Sequence, residues 1–422
     1  MIKAFLSKFE TLEERLLSFL MLAIGLFPLF PNKLKPLPVV LLVLLTIWVA
    51  FKKKPKSVEK KKIWQPIVLS SLIVIYAISL LYTQDLKTGF KRLETGASLF
   101  LVPWLFYFLG SRIKLSRAHL KIVFHTYFWA AVLYAVIIII FFMSIGYYSG
   151  EHNLEYCLSW LDGMLWGLSQ HAIYASMILG IALLITPFIF KDYKGWKKVL
   201  IAIGFLMLIY MLFLMFRKGV VAAIIIAAFT YFLTNFKKIK KVSVLLITSV
   251  VLIAGIFMKD KISERVTEVF RKETYSQVDI EKSTSMRFAI YNCVVDDIKK
   301  SPWIGHGIGD GYELIENCLR DKHGIIFQDS KLRKNAHNQY LGIWLYTGLA
   351  GLLLFVFQLF LYYKKAITDK NVLFIQLLVF FSIVLLTENI LDRATGVLLF
   401  ALFLNMFFFM KLKAENKILQ ND

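Results

Sequence analysis

Two runs decide how this chain is read: SMRFAIYNCVVDDIKKSPWIGHGIGDGYELI (285–315) and NAHNQYLGIWLYTGLAG (335–351). They open and close the one long stretch too polar to lie inside a membrane, and the second places His337 at the mouth of the next apolar run. On both sides the chain is built from apolar runs of about 17 to 25 residues, enough for a helix to cross a hydrocarbon core of roughly 30 Å. Over 422 residues, 58% are hydrophobic and the mean hydropathy is +0.64, well above the roughly 45–50% of ordinary globular domains. The fold class expected is an all-α polytopic membrane protein.

About twelve spans are expected, because a helix is how an isolated backbone satisfies its own polar groups in lipid. They fall at 16–30, 37–51, 64–82, 96–109, 122–146, 170–190, 199–216, 220–235, 242–258, 338–362, 372–387 and 397–410. The first ends in PLFPNK (28–33), not at a small-residue cleavage site, and is expected to stay as an uncleaved span. No repeat of 20–50 residues is visible. The organisation expected is one integral membrane domain: nine spans over 1–258, an extracytoplasmic loop over 259–336, then three spans and a tail over 337–422.

The net charge of +22 suits a nucleic-acid binder in size but not in distribution. KKKPKSVEKKK (52–62), SRIKLSRAHLK (111–121), KDYKGWKK (191–198), FKKIKK (236–241) and YYKKAITDK (362–370), with the two tails, hold about 28 Lys and Arg. The alternate short connections hold about eight, and Gly146–Gln170 holds none. This is the positive-inside pattern. It predicts no nucleic acid, membrane lipid as surroundings, both termini cytoplasmic and the long loop outside.

Within that loop, Lys259–Lys282 is charged and poorly periodic. From Met286 to Ile298, Phe288, Tyr291, Val295 and Ile298 recur at spacings of three and four and predict an amphipathic helix, which Ser301-Pro302 ends. GHGIGDG then turns into a second helical stretch, Tyr312–Leu319, so a helical cap over the bundle is expected. Its glycines imitate a nucleotide fingerprint, but no strand precedes them and no Gly-Lys-Ser/Thr follows. Cys157, Cys293 and Cys318 all fall on the outer side, where disulfides are allowed. A Cys293–Cys318 bond would tie the two loop helices, but connectivity is not readable from three cysteines.

The residues that could carry chemistry lie at the same outer boundary. His337, followed by Asn338, offers an imidazole, the side chain suited to taking a proton from a hydroxyl near neutral pH. The bland alternative is an interfacial histidine at a helix start. Arg217 with Lys218, where one span meets the next, Arg287 at the head of the loop helix, and Arg393 beside Glu388 and Asp392 all present guanidinium or ammonium groups. Guanidinium makes forked contacts with phosphate oxygens, so arginine suits a diphosphate. Each could instead be an anchor, or, for Arg393, the partner of Glu388 or Asp392. Lys91, Arg92 and His171 reach the same face and could line an entrance or be plain loop polarity. No cluster has metal-ligand spacing, and His306 and His323 stand apart. Neither a metal nor a cofactor is expected.

In order along the chain, Arg217 and Gly219, Arg287, SPWIGHGIGDG and HNQYLGIWLYTGLAG together resemble the O-antigen ligase and polymerase superfamily, over roughly 200–410. TENILDRATGVLLFALF (387–403), with Glu388 and Arg393, is similar to members from the Bacteroidota. The resemblance implies a fold like that of the membrane-embedded class C glycosyltransferases. It also implies an inverting, metal-independent glycosyl transfer outside the inner membrane, with an undecaprenyl-diphosphate-linked glycan as donor. The acceptor would be lipid A–core for a ligase, which is the reading adopted. A second lipid-linked repeat unit would make it a polymerase, and a protein hydroxyl would make it a protein O-glycosylating enzyme. By that pattern His337 acts as base or orients the acceptor hydroxyl, and Arg287 and Arg217, with Lys218, hold the diphosphate. The family has serine before the first arginine where this chain has Phe216. Arg393, Glu388, His171, Arg92 and Asn338 would stand behind these groups or meet the acceptor. The rival class, a transporter or flippase, should show repeats, interrupted helices and ionisable groups at mid-membrane. A channel should show a ring-forming filter motif, which this chain lacks.

Overall fold

The computed structural model describes residues 11–52, 62–113, 116–150, 171–215, 217–235, 283–326 and 334–409, with single positions 152, 156, 157, 160, 168 and 278. Span 242–258, the stretch Lys259–Lys282 apart from Val278, Phe216 and the chain tails lie outside them.

The described chain is helical: α1 (Leu12–Gly25), α2 (Leu37–Lys52), α3 (Trp64–Leu69), α4 (Ser71–Ser79), α5 (Leu86–Gly110), α6 (Arg117–Ser144), α7 (Ala172–Phe190), α8 (Trp196–Met215), α9 (Lys218–Asn235), α10 (Ser283–Lys300), α11 (Gly311–His323), α12 (Gln339–Thr368), α13 (Val372–Thr387) and α14 (Ala394–Phe409). Among the described residues, six helices are long and apolar enough to cross a membrane: α2 with its preceding turn, α5, α6, α7, α8 and α12. α9, α13 and α14 are shorter apolar helices. The protein is a multi-pass membrane protein.

α14 is apolar on every face except for Thr395 and Asn405, and Thr395 to Phe408 are buried without a break. A helix of that kind belongs in the middle of a bundle. It packs on α5, α12 and α13, while α9 lies along α13 and α7 lies against α6, α8 and α9. On outer helices the pattern inverts: Phe51, Leu81, Ile140 and Trp196 are exposed, as side chains facing acyl chains should be.

Two expected spans are broken. The 64–82 run divides at Ser70 into α3 and α4. Its hydroxyl takes the Pro66 carbonyl at 2.7 Å, and the Gln358 amide reaches in to the Val68 carbonyl at 2.9 Å. α12 breaks at Gly348, whose φ of 68° and ψ of −172° are open to glycine alone. The turn 301–311 fills that second break. Leu349 N–H donates to Pro302 O, and His306 and Gly307 N–H donate to the Leu345 and Tyr346 carbonyls, each at 2.9 Å. A Cβ on Gly348 would lie 2.1 Å from Trp303 O. The turn's backbone thus replaces the hydrogen bonds that the break removes.

The same turn clamps the α4–α5 connection. The Asp310 carboxylate accepts from the backbone N–H of Gln84 and Asp85 and from the Thr83 hydroxyl at 2.8–3.0 Å. α5 begins at Leu86, capped by Asp85, so Lys91 and Arg92 sit inside a helix and not on the open connection expected for them. The cap helices α10 and α11 are joined by a Cys293–Cys318 disulfide. The inward stripe of α10 is corrected too. Met286, Ala289, Ile290, Cys293, Val294 and Ile298 are buried, whereas Phe288 and Val295 are exposed. Apolar spacings of three and four run along two faces of α10, and the packed face is the one carrying Met286, Ile290 and Val294 with the small Ala289 and Cys293.

Candidate active site

His337 sits just before α12 with φ 44°, a left-handed backbone unusual outside glycine. Three bonds hold it there. Its N–H donates to Asn335 Oδ1 at 3.0 Å, its carbonyl accepts from the Tyr291 hydroxyl at 3.1 Å, and Nδ1 lies 3.2 Å from Glu388 Oε2. Asn338 is the helix cap: Oδ1 accepts from the N–H of Tyr340 and Leu341, and its own N–H donates to Asn389 Oδ1 at 2.8 Å. Asn338 therefore commits its side-chain oxygen to the start of α12.

Glu388 is the joint of the site. One oxygen takes His337; the other pairs with Arg287 Nη2. Arg287 Nη1 donates to Thr387 O at 3.0 Å. Burial pushes the Glu388 carboxyl up, but the hydrogen bond from His337 and the charges of Arg287 and His337 outweigh it, leaving it below its ordinary value. An ionised carboxylate only accepts, so the imidazole carries its proton on Nδ1 and, when neutral, leaves the Nε2 lone pair free. Two of Arg287's five N–H donors are engaged, and its side chain is 30% exposed.

Arg217 stands at the start of α9, where its carbonyl accepts from Val221 N–H at 3.0 Å. Gly219, two residues on, packs so closely on α13 that a Cβ there would lie 2.3 Å from Thr387 Oγ1. This brings Arg217 and the exposed Lys218 to the end of α13, beside the Thr387 carbonyl that Arg287 holds. Arg393 is exposed and makes no ion pair with either of the acids beside it: Glu388 takes Arg287, and Asp392 faces Arg92. His171 is exposed one turn before Tyr174, whose phenol lies in the field of Arg393, Asp392, Glu388 and Tyr312. Thr387, Asn389 and Tyr174 have no signal in the sequence, since each acts through a partner far away in the chain, and Tyr291 shows there only as a periodic position of the loop helix.

Behind these groups lies a second polar cluster. Arg92 is 7% exposed, sandwiched between the Tyr312 and Tyr346 rings at 4.3 and 4.2 Å, and donates Nη1 to Ile308 O at 2.8 Å. Its Nη2 is 3.8 Å from Asp392 Oδ2. Burial raises the Asp392 carboxyl, and the Arg92 and Arg393 charges oppose this without reversing it. Gln339 hydrogen-bonds with the Tyr76 phenol and the Asp392 carboxyl, and Tyr312 with Arg92.

Residues 202–356 match the family model described as O-antigen ligase. The matched stretch runs from α8 to the middle of α12 and contains Arg217, Lys218, Arg287, His337 and Asn338. Glu388, Arg393, Arg92 and His171 fall outside it. No curated protein matches the chain. O-antigen ligase domains belong to ligase- or polymerase-type glycan transfer, and the family works on lipid-linked glycans. Among the described residues, no three His, Cys, Asp or Glu side chains gather to hold a metal ion.

Proposed function

We propose that this protein is an O-antigen ligase-type glycosyltransferase. It moves a glycan from undecaprenyl diphosphate to lipid A–core, with inversion and without a metal, on the periplasmic face of a bacterial inner membrane. The observation that carries the reading is Glu388, which holds Arg287 by one oxygen and His337 by the other. A phosphate-binding group and a proton acceptor are thereby fixed a few ångströms apart, in a site half shielded from water.

In this reading Arg217, Lys218 and the free N–H groups of Arg287 bind the diphosphate. The acceptor hydroxyl gives its proton to His337 Nε2 while its oxygen bonds to the anomeric carbon. The bond from that carbon to the diphosphate oxygen breaks on the opposite face, and undecaprenyl diphosphate leaves with the electron pair. Positive groups preorganised at the departing diphosphate are worth about 10²–10³ in rate, and holding donor and acceptor together supplies the remainder.

The test gives the purified protein an undecaprenyl-diphosphate glycan with lipid A–core, with excess donor alone, or with a hydroxyl-bearing peptide. A single-step product on lipid A–core is expected. A ladder grown from donor alone would make it a polymerase, a glycopeptide would make it a protein O-glycosylating enzyme, and no transfer to any acceptor would overturn the enzyme reading.

A further inference from the structure

The loop that carries the cap is polar as a whole, but its 301–305 turn is built the other way round. Its two large apolar side chains point outward: Trp303 is 70% exposed and Ile304 62%. The polar backbone beneath them is bonded into the protein. Pro302 has no N–H to satisfy, and its carbonyl accepts from Leu349 N–H and from Trp344 Nε1, each at 2.9 Å. The Ile304 carbonyl accepts from the Tyr82 hydroxyl, and the Gly305 carbonyl from the Ser301 hydroxyl, both at 2.8 Å. The N–H groups of Gly305, His306, Gly307, Ile308 and Gly309 all donate to protein acceptors. A loop in water can leave such groups to solvent, whereas non-helical backbone at membrane depth must have them met by protein.

The turn also stands at membrane depth. It is wedged into the Gly348 break of α12, and Gly348 lies 16 residues before the exposed Lys364, about 24 Å at 1.5 Å per residue. On its other side the Ser79 hydroxyl takes Ile308 N–H at 3.2 Å. Ser79 lies 17 residues after the exposed Lys62, about 26 Å by the same measure. Both distances fall inside a hydrocarbon layer of roughly 30 Å. α4 and α12 pack side by side. Ile78 and Leu81, the latter 87% exposed, mark the end of one, and Leu353 and Val356 are exposed just past the break in the other. Trp303 and Ile304 continue that surface.

We propose that the 301–305 turn is a foot of the cap planted in the membrane, with Trp303 and Ile304 inserted among the acyl chains of the adjacent leaflet. Lipid suits this surface better than a protein partner. The surface runs into helix faces at hydrocarbon depth, and Tyr82 and Trp344 direct their polar groups inward onto the turn, as aromatic side chains do where hydrocarbon meets headgroup. The cap is then held from two sides, by the break in α12 and by the bilayer. This assignment rests neither on the reaction proposed above nor on which face is cytoplasmic.

Nitroxide accessibility, measured on the full-length protein in phosphatidylcholine–phosphatidylglycerol vesicles, tests it. Trp303→Cys and Ile304→Cys carry the spin label, each with the buried free cysteine removed as Cys157→Ala. Collisions with oxygen, which concentrates in hydrocarbon, are compared with collisions with a water-soluble nickel chelate. Leu353→Cys on α12 is the lipid reference, and Arg320→Cys, exposed on α11, is the water reference. At both positions the oxygen-to-nickel ratio should be close to that at Leu353 and several-fold above that at Arg320. A ratio like that at Arg320 would place the turn in water, and few collisions with either reagent would mean that protein covers it. Either result, at either position, would overturn the proposal. The two positions are read separately, so a variant that fails to reach the membrane leaves the other to decide.

Discussion

At the scale of single residues, the site turns on Glu388, and its charge has a definite pH signature. Its folded carboxyl lies below the ordinary value, so its bonds to Arg287 and His337 are fully present above the unfolded value of about 4.3. They are lost only as pH falls through the lower folded value. The contacts Glu388 makes with Arg287 and His337 should therefore hold through mildly acid pH and be lost on the far acid side, which the pH dependence of thermal stability would show. Glu388→Gln should lower transfer on the order of 10²-fold or more at neutral pH, because it frees Arg287 and loosens the imidazole tautomer. A Gln variant with near-normal rate would remove Glu388 from the site. His337 allows a cleaner separation. Asparagine tolerates φ near +44°, so His337→Asn should keep membrane abundance and thermal stability while losing transfer. Loss of abundance along with activity would point to a backbone role instead. In the sequence His337 and Arg287 are legible as chemistry-bearing types at the outer boundary. Their link is not, because Glu388 follows Arg287 by 101 positions and pairs with it and not with the nearer Arg393.

At the scale of elements, the hydropathy of α7, α8, α13 and α14 was enough to place them within a few residues. The breaks were not legible. Ser70 and Gly348 sit in runs whose apolar character continues across them, and only the arrival of Gln358 and of the 301–311 turn makes the interruptions affordable. The sequence predicts the cap as two helices, but three cysteines alone do not single out the Cys293–Cys318 tie. This bond closes a loop with a sequence separation of 25, for which chain-entropy arguments give about 3–4 kcal/mol. Cys293→Ser or Cys318→Ser should thus leave the membrane helices folded but loosen α10, and with it Arg287. The expected result is faster proteolysis of the 283–323 region and reduced transfer. Unchanged proteolysis in both variants would show that packing alone holds the cap.

For the whole molecule, we propose an orientation with the cap outside. The positive-inside pattern of the sequence predicts the basic connections in the cytosol, and a disulfide-bonded cap suits an oxidising compartment. Two interrupted helices are a feature of transporters as well, but in this bundle a transporter's cavity is replaced at Gly348 by the backbone of the cap, which bonds across the gap. That arrangement ties the cap to α12, which His337 precedes, and suits a fixed site better than alternating access. Sidedness is then the decisive whole-molecule prediction. Ser149 and Lys194 are both exposed, on connections assigned to opposite faces. With Ser149→Cys in one variant and Lys194→Cys in another, a membrane-impermeant maleimide should label the first in intact spheroplasts and the second only after permeabilisation. The reverse pattern would put His337, Arg287 and Glu388 in the cytosol, where a lipid-linked periplasmic donor never arrives, and the proposed reaction would have no substrate.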